Sequence, residues 1–297
     1  AVAPNEIHYT TFQPDSLVAL TVTELAGQIE DRDGVKQTNF DGTATISVFD
    51  NSRERSVTIP YLETQFVVTY SEYGPEIYRG KIGVVDGDFS LRFVVPKDIT
   101  YGGDDARISG YAASATSGAA GVIFPIAIGS INQDVVDTVG PEITLLLACN
   151  SGFSDGVTLA PESELTIELF DSLGINLSGE IGHGIELQFD DDREFSFELT
   201  DSFTYAADSY QRGSAKMKLP KLAAGEHALR VKAWDSANNS SQKLATFNVS
   251  STAELEIVDL LCYPNPVKQG CEFSYSLTGD ADDVTLKLFT LSGLEIW

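Results

Sequence analysis

Thr43-Ala44-Thr45-Ile46-Ser47-Val48-Phe49 and, further along, Asp86-Gly87-Asp88-Phe89-Ser90-Leu91-Arg92-Phe93-Val94-Val95 are the stretches whose reading decides the fold class. In the first, Ala44, Ile46 and Val48 share one face while Thr45, Ser47 and Phe49 share the other. That period of two belongs to a half-buried strand. In the second, Asp86-Gly87 is a strong hairpin signal, because the favoured two-residue turns need positive φ at their centre. Working outward, residues 16–29 read as a strand (Leu20, Val22, Leu25) ending at the turn Asp31-Arg32-Asp33-Gly34. Residues 66–70 and 76–85 form strands around Tyr73-Gly74-Pro75, followed by 106–115 and by 121–129 with Pro125 at a bulge or edge. Strands at this spacing, without helical periodicity, indicate a β-sandwich.

Asp137-Thr138-Val139-Gly140-Pro141 then punctuates the chain as a linker. Beyond it the pattern predicts strands at 142–149, 165–170, 185–189, 194–200, 214–219, 226–234 and 243–249, with Gly225 in a turn. Trp234 is expected in the core, ahead of the turn Asp235-Ser236-Ala237-Asn238-Asn239-Ser240. After Ser250-Ser251-Thr252 come strands at 255–261, 273–277 and 284–289. The expected fold class is all-β: tandem β-sandwiches at 1–137 and 138–251, the second Ig-like, followed by an incomplete β domain at 252–297. That last unit is too short to close a sandwich of its own, so it is expected to lean on a neighbour.

Charge narrows the function. Nineteen basic residues against 44 acidic give a net charge of −25. Such a field repels phosphate backbones and anionic lipid, which excludes nucleic acid and direct membrane insertion from the expected partners. The longest apolar run, 121–128, is interrupted by Pro125 and falls short of the ~20 residues of a spanning helix. No signal peptide opens the sequence, so either one has been removed or the chain is internal to a longer one. The three cysteines, Cys149, Cys262 and Cys271, forbid a complete disulfide framework and show no Cys-x-x-Cys spacing. Cys149 reads as buried; Cys262 and Cys271 either pair across neighbouring strands in an oxidising compartment or are small buried apolar residues.

The most idiosyncratic stretch runs from Phe170 through Asp171, Asn176, His183 and Ile185 to Asp192, spaced by Gly174, Gly179, Gly182 and Gly184. It joins two strands by a long connection. His183, flanked by Gly182 and Gly184, reads as the residue that fixes this structural loop, since no nucleophile pattern accompanies it. His8 and His227 read as surface or strand residues. The calcium candidates are Asp171, Asp190, Asp192 and Asp235, all at strand ends, set against ordinary solvated turn carboxylates. No catalytic residue and no other cofactor is assigned. Tyr70, Tyr73, Tyr78, Tyr101 and Tyr111 offer a competing reading, a sugar-binding face on an adhesin or glycan-binding module.

Three groups of stretches carry a family resemblance. Residues 15–20, 27–31, Asn39-Phe40-Asp41-Gly42-Thr43-Ala44, 87–99 and Arg107-Ile108-Ser109-Gly110-Tyr111-Ala112 resemble the module after the catalytic domain in gingipain-type (C25-type) cysteine peptidases, in particular the type IX secretion sortase subgroup. Gly174-Ile175-Asn176, Gly182-His183-Gly184-Ile185, 208–213, Gly225-Glu226-His227 and Lys232-Ala233-Trp234-Asp235 are similar to the second module of that subgroup. Tyr263-Pro264-Asn265-Pro266 with Leu286-Lys287-Leu288-Phe289 resembles the start of a type A C-terminal sorting domain, a motif shared with hook-capping Ig-like domains. The resemblance implies a non-catalytic scaffold region that positions a peptidase domain lying before residue 1 and docks to an outer-membrane protein of the secretion system. It implies export to the cell surface of a Gram-negative bacterium of the Bacteroidota. The family's catalytic cysteine and histidine have no counterpart here, and Gly184 replaces a more polar residue.

Overall fold

The computed structural model describes residues 5–61, 64–147, 152–179, 182–252, 254–267, 270–278, 281 and 283–297. Contacts gather the chain into two compact units. The first comprises Ala1–Leu145, Ile167–Lys216 and Arg230–Leu244; the second comprises Leu146–Thr166, Met217–Leu229 and Ala245–Trp297. Among the described residues there is no α-helix; strands dominate, joined by short 3₁₀ turns at Arg193–Phe195 and Thr200–Ser202.

In the first unit the strands up to the linker are β1 (Asn5–Gln13), β2 (Leu17–Ala19), β3 (Val22–Glu30), β4 (Gly42–Phe49), β5 (Arg53–Tyr61), β6 (Thr64–Glu72), β7 (Glu76–Val84), β8 (Asp88–Val94), β9 (Ala106–Ser114), β10 (Gly118–Ile126) and β11 (Ile128–Ile131). Seven of them lie in the order β7-β4-β9-β10-β1-β3-β8. The alternation in β4 does what the pattern requires: Ala44, Ile46 and Val48 are fully buried, facing a core that includes Ile82, Val84, Ile108 and Ala112. Each buried Ile or Val side chain here contributes about 1.5–3 kcal/mol on leaving water. The Asp86-Gly87 turn has φ of 50° and 78°, and Val85 pairs with Asp88 across it. Pro125 sits where the β9–β10 register shifts, the bulge the sequence called for.

After the linker come β12 (Glu142–Leu147), β13 (Val157–Leu159), β14 (Glu164–Phe170), β15 (Glu186–Phe189), β16 (Ser196–Glu198), β17 (Thr204–Tyr205), β18 (Arg212–Lys218), β19 (Gly225–Trp234), β20 (Ser240–Val249), β21 (Ile257–Tyr263) and β22 (Glu272–Leu277). The order β12-β14-β18-β17 extends the first sheet through one parallel bridge, Tyr205 to Gly80. In the first unit β15 pairs antiparallel with β16. In the second, β13 pairs in parallel with the end of β20, and β21 with β22 form an antiparallel hairpin.

Several sequence expectations need correction. The strand expected over 16–29 is broken at Leu20, where φ is 58° and the backbone turns between β2 and β3. Strand β5 was not expected, because it opens Arg53-Glu54-Arg55 and buries nothing: with β6 it forms an exposed ribbon in nine-residue register. The strand expected at 194–200 is two 3₁₀ turns flanking the short β16. Residues 284–289 alternate well, yet among the described residues the segment pairs only at its end, where Phe289 bridges Glu295 and Leu288 bonds the Ile296 and Trp297 backbone. An alternating pattern makes a strand only where a partner takes its backbone hydrogen bonds. Trp234 is half-buried rather than core. Cys149 lies outside the described residues.

Candidate functional site

The long connection between β14 and β15 is organised by side chains that bond the backbone close by. Asp171 accepts from the Leu173 N–H at 2.7 Å, and Asn176 accepts through Oδ1 from the Ser178 N–H at 2.9 Å. Short polar side chains hold turns this way, which is why they favour loops over strands. Gly174 has φ +83°; a Cβ there would lie 2.6 Å from the Tyr210 carbonyl and 2.8 Å from the Tyr205 hydroxyl. Only glycine fits both demands. The fully buried Tyr205 hydroxyl donates to the Ile175 carbonyl at 3.0 Å and accepts its N–H at 2.6 Å. Ile175 bridges to Asp235, and the Asn176 N–H donates to the Trp234 carbonyl, tying the connection to the turn after β19.

Two carboxylate clusters flank this connection. The first centres on Asp98, four residues past β8. It accepts from Asn176 Nδ2 at 3.1 Å and from Asn238 Nδ2 at 2.6 Å, and it pairs with His183 Nδ1. Asn176 also donates to Asn238 Oδ1 at 3.1 Å, so the polar groups close on one another. Burial by itself raises the Asp98 carboxyl. The His183 and Asn238 hydrogen bonds, the His183 charge and Asn176 outweigh it and hold the group below the usual carboxylate value. The His183 ring packs on Trp234 with centroids 4.3 Å apart, and Lys232 lies over the same indole at 4.6 Å.

The second cluster brings together Asp137, Asp171 and Asp235, whose oxygens lie within 4.8 Å of one another. Burial first, then the charges of Asp235 and Asp137, pushes the Asp171 carboxyl up to about 7 against the lowering pull of the Leu173 and Gly174 N–H bonds. Asp235 is also raised, by burial, although Asn239 and Ala237 bond it. Calcium takes six to eight oxygens; this trio brings three side chains, and several of their oxygens already accept hydrogen bonds. Of the four calcium candidates, the fold joins Asp171 and Asp235 and leaves out Asp190 and Asp192. Those two are exposed turn residues: Asp190 has φ 53°, and Asp192 caps the 3₁₀ turn through the Glu194 N–H. Asp137 joined them unannounced; its only sequence signal is the linker turn, where it accepts from the Val139 N–H.

Gly182 has φ 85°, while a Cβ at Gly184 would meet only the mobile carboxylate end of Glu198, so that position does not demand glycine. His183 thus has a carboxylate on Nδ1, the orienting half of a catalytic arrangement. Among the described residues no hydroxyl or thiol bonds its other nitrogen, and nucleophilic catalysis needs one there. Of the five tyrosines proposed as a glycan face, Tyr78 is buried and stacks on Tyr205 at 5.0 Å. Tyr70 and Tyr73 are exposed on and beside the β5–β6 ribbon, and Tyr101 and Tyr111 are exposed elsewhere in the first unit. In the second unit, Tyr263 ends β21 in the open, and Pro264, Asn265 and Pro266 form the turn beyond it. The Cys262 and Cys271 thiols are both free; a hydrogen bond between them raises the Cys262 thiol above its usual value. No helix is long and apolar enough to cross a membrane.

No family model and no curated protein matches the chain. Among solved structures it is similar to dimeric latent PorU from Porphyromonas gingivalis, with 28% identity and a TM-score of 0.49, covering 93% of this chain and 27% of that one. It is also similar to trypsin-activated alpha-2-macroglobulin from Escherichia coli, with 10% identity and a TM-score of 0.26, over 87% of this chain and 19% of that one. The chain therefore spans about a quarter of the PorU length or less of these structures.

Proposed function

We propose that this chain is a non-catalytic scaffold region of a type IX secretion sortase-like surface cysteine peptidase. On this reading it positions a peptidase domain and docks to an outer-membrane protein of the secretion system. The observation that carries the proposal is the ordered run of resembling stretches, from the β2–β3 region through Gly182-His183-Gly184-Ile185 to Tyr263-Pro264-Asn265-Pro266. The loop supports it: His183 is held between Asp98 and Trp234, as a brace joining three segments of one unit would be. The module boundaries at 137/138 and 251/252, the Ig-like character of the middle module and an exported, surface location go with the same reading.

Two measurements test it. The purified chain should show no thiol-dependent peptide hydrolysis; turnover that is lost on alkylating Cys262 and Cys271 would overturn the proposal. The residues encoded ahead of Ala1 should form a gingipain-like peptidase domain, and an unrelated module there would refute it.

A further inference from the structure

The sheet order leaves β8 at an edge, beside a cavity of about 750 Å³ lined among others by Glu24, Ser90, Arg92, Asp208 and Tyr210. Its hydrogen bonding can be worked out residue by residue. Asp88 exchanges both backbone bonds with Val85, so its main chain faces away from β3. Gly87, one residue earlier, accepts from the Ile29 N–H at 2.8 Å and faces β3. Antiparallel ladders alternate, so the main-chain groups of Ser90 and Arg92 also point away from β3, and both residues line the cavity. Among the described residues, β3 is the only strand paired along β8.

The opposite wall is already satisfied. The 206–210 segment takes up the β7 edge: Asp208 accepts the Gly83 N–H at 3.1 Å and donates its own N–H to the Lys81 carbonyl. One side of the seam is therefore capped and the other open. A second concavity of about 380 Å³, lined by Gly83, Val85, Asp88 and Phe89, shares Ser90 and Asp208 and prolongs the slot along β8.

We propose that this slot binds an extended, basic segment of a partner polypeptide, which adds as a strand to the free edge of β8. Outward N–H and C=O groups repeating every ~6.8 Å are complementary to a β-strand and to little else. A cavity of this size holds several residues in extended form. Charge sets the preference. Arg92 is paired with Glu24 at 3.3 Å and Lys36 with Asp88, leaving Asp208 facing the slot on a chain of net charge −25. The inference stands independently of the sortase-like reading.

The probe is a fluorescein-labelled Lys-Thr-Val-Lys-Val-Thr-Lys peptide titrated by anisotropy into the whole chain. Saturable binding is expected, weakened at least tenfold when alternate amides of the peptide are N-methylated and at least tenfold when its lysines become glutamates. Ser90→Pro removes an outward N–H without breaking a bond to β3, and should lose binding tenfold or more, while Ser90→Ala should not. Hydrogen exchange should slow at Ser90 and Arg92 on adding peptide. Equal affinity for the N-methylated peptide, equal affinity for the glutamate peptide, or no saturable binding overturns the proposal. So does concentration-dependent dimerisation abolished by Ser90→Pro, which would assign the edge to a second copy of this chain. Should Ser90→Pro fail to fold, the N-methylated peptide decides alone.

Discussion

Asp98 and Asp171 sit at opposite ends of the same scaffold problem. Both are largely withdrawn from water in the first unit, and both are tied to the connection between β14 and β15. Asp98 is surrounded by three donors and is held ionised; Asp171 has two carboxylates for neighbours and is pushed towards neutrality. Burial acts on each in the same direction, so the neighbours decide the difference. The two sites consequently respond to pH with opposite sign. The depressed Asp98 contributes stability that is present above the unfolded value of about 4 and is lost as pH falls below it. The raised Asp171 binds its proton more tightly when folded, so stability falls as pH rises from about 4 to about 7 and then levels off.

The largest expected effect removes the frame both sites share. Gly174→Ala forces a side chain into φ +83° against Tyr205 and Tyr210, and should cost about 3 kcal/mol or more by denaturant unfolding. A loss under about 1 kcal/mol would show that the connection does not hold the two sites. Next, Asp98→Ala leaves His183, Asn176 and Asn238 without their acceptor and should cost about 2–3 kcal/mol at pH 7, less below pH 4. A pH-independent loss would contradict the ionised state of Asp98. Asp171→Asn should change stability the other way, gaining about 1 kcal/mol at pH 8 and little at pH 4.5, with the slope between pH 4 and 7 flattened. Destabilisation at pH 8 that chelator reproduces in the parent chain would instead mean that the carboxylates hold a cation. The smallest change, His183→Gln, keeps a donor for Asp98 but loses the ring contact with Trp234, and should cost about 1 kcal/mol.

Much of the first unit is legible in its sequence. The alternation at Ala44, Ile46 and Val48 and the Asp86-Gly87 turn are local signals, and local geometry enforces both. The ribbon of β5 and β6 was half-missed for an equally physical cause. Val57, Ile59, Phe66, Val68 and Tyr70 lie on one of its faces and remain about half exposed, whereas pattern reading looks for apolar residues that reach a core. The candidate site was legible only as an odd loop. His183 stands out by its glycines, but its partner Asp98 lies 85 positions away and Asn238 is 140 positions from Asp98.

The amino-acid sequence by itself determined that this chain is built of strands, that its surface repels polyanions, and that the segment around His183 is held by glycines and short polar side chains. Each of those follows from covalent geometry, local hydrogen bonding or summed charge. Only the tertiary structure decided which carboxylates meet. It gathered Asp171 and Asp235 with Asp137, excluded Asp190 and Asp192, and turned Ser90 and Arg92 of β8 outwards to an open seam. Ionisation and edge pairing depend on through-space neighbours, and spacing along the chain does not encode those distances.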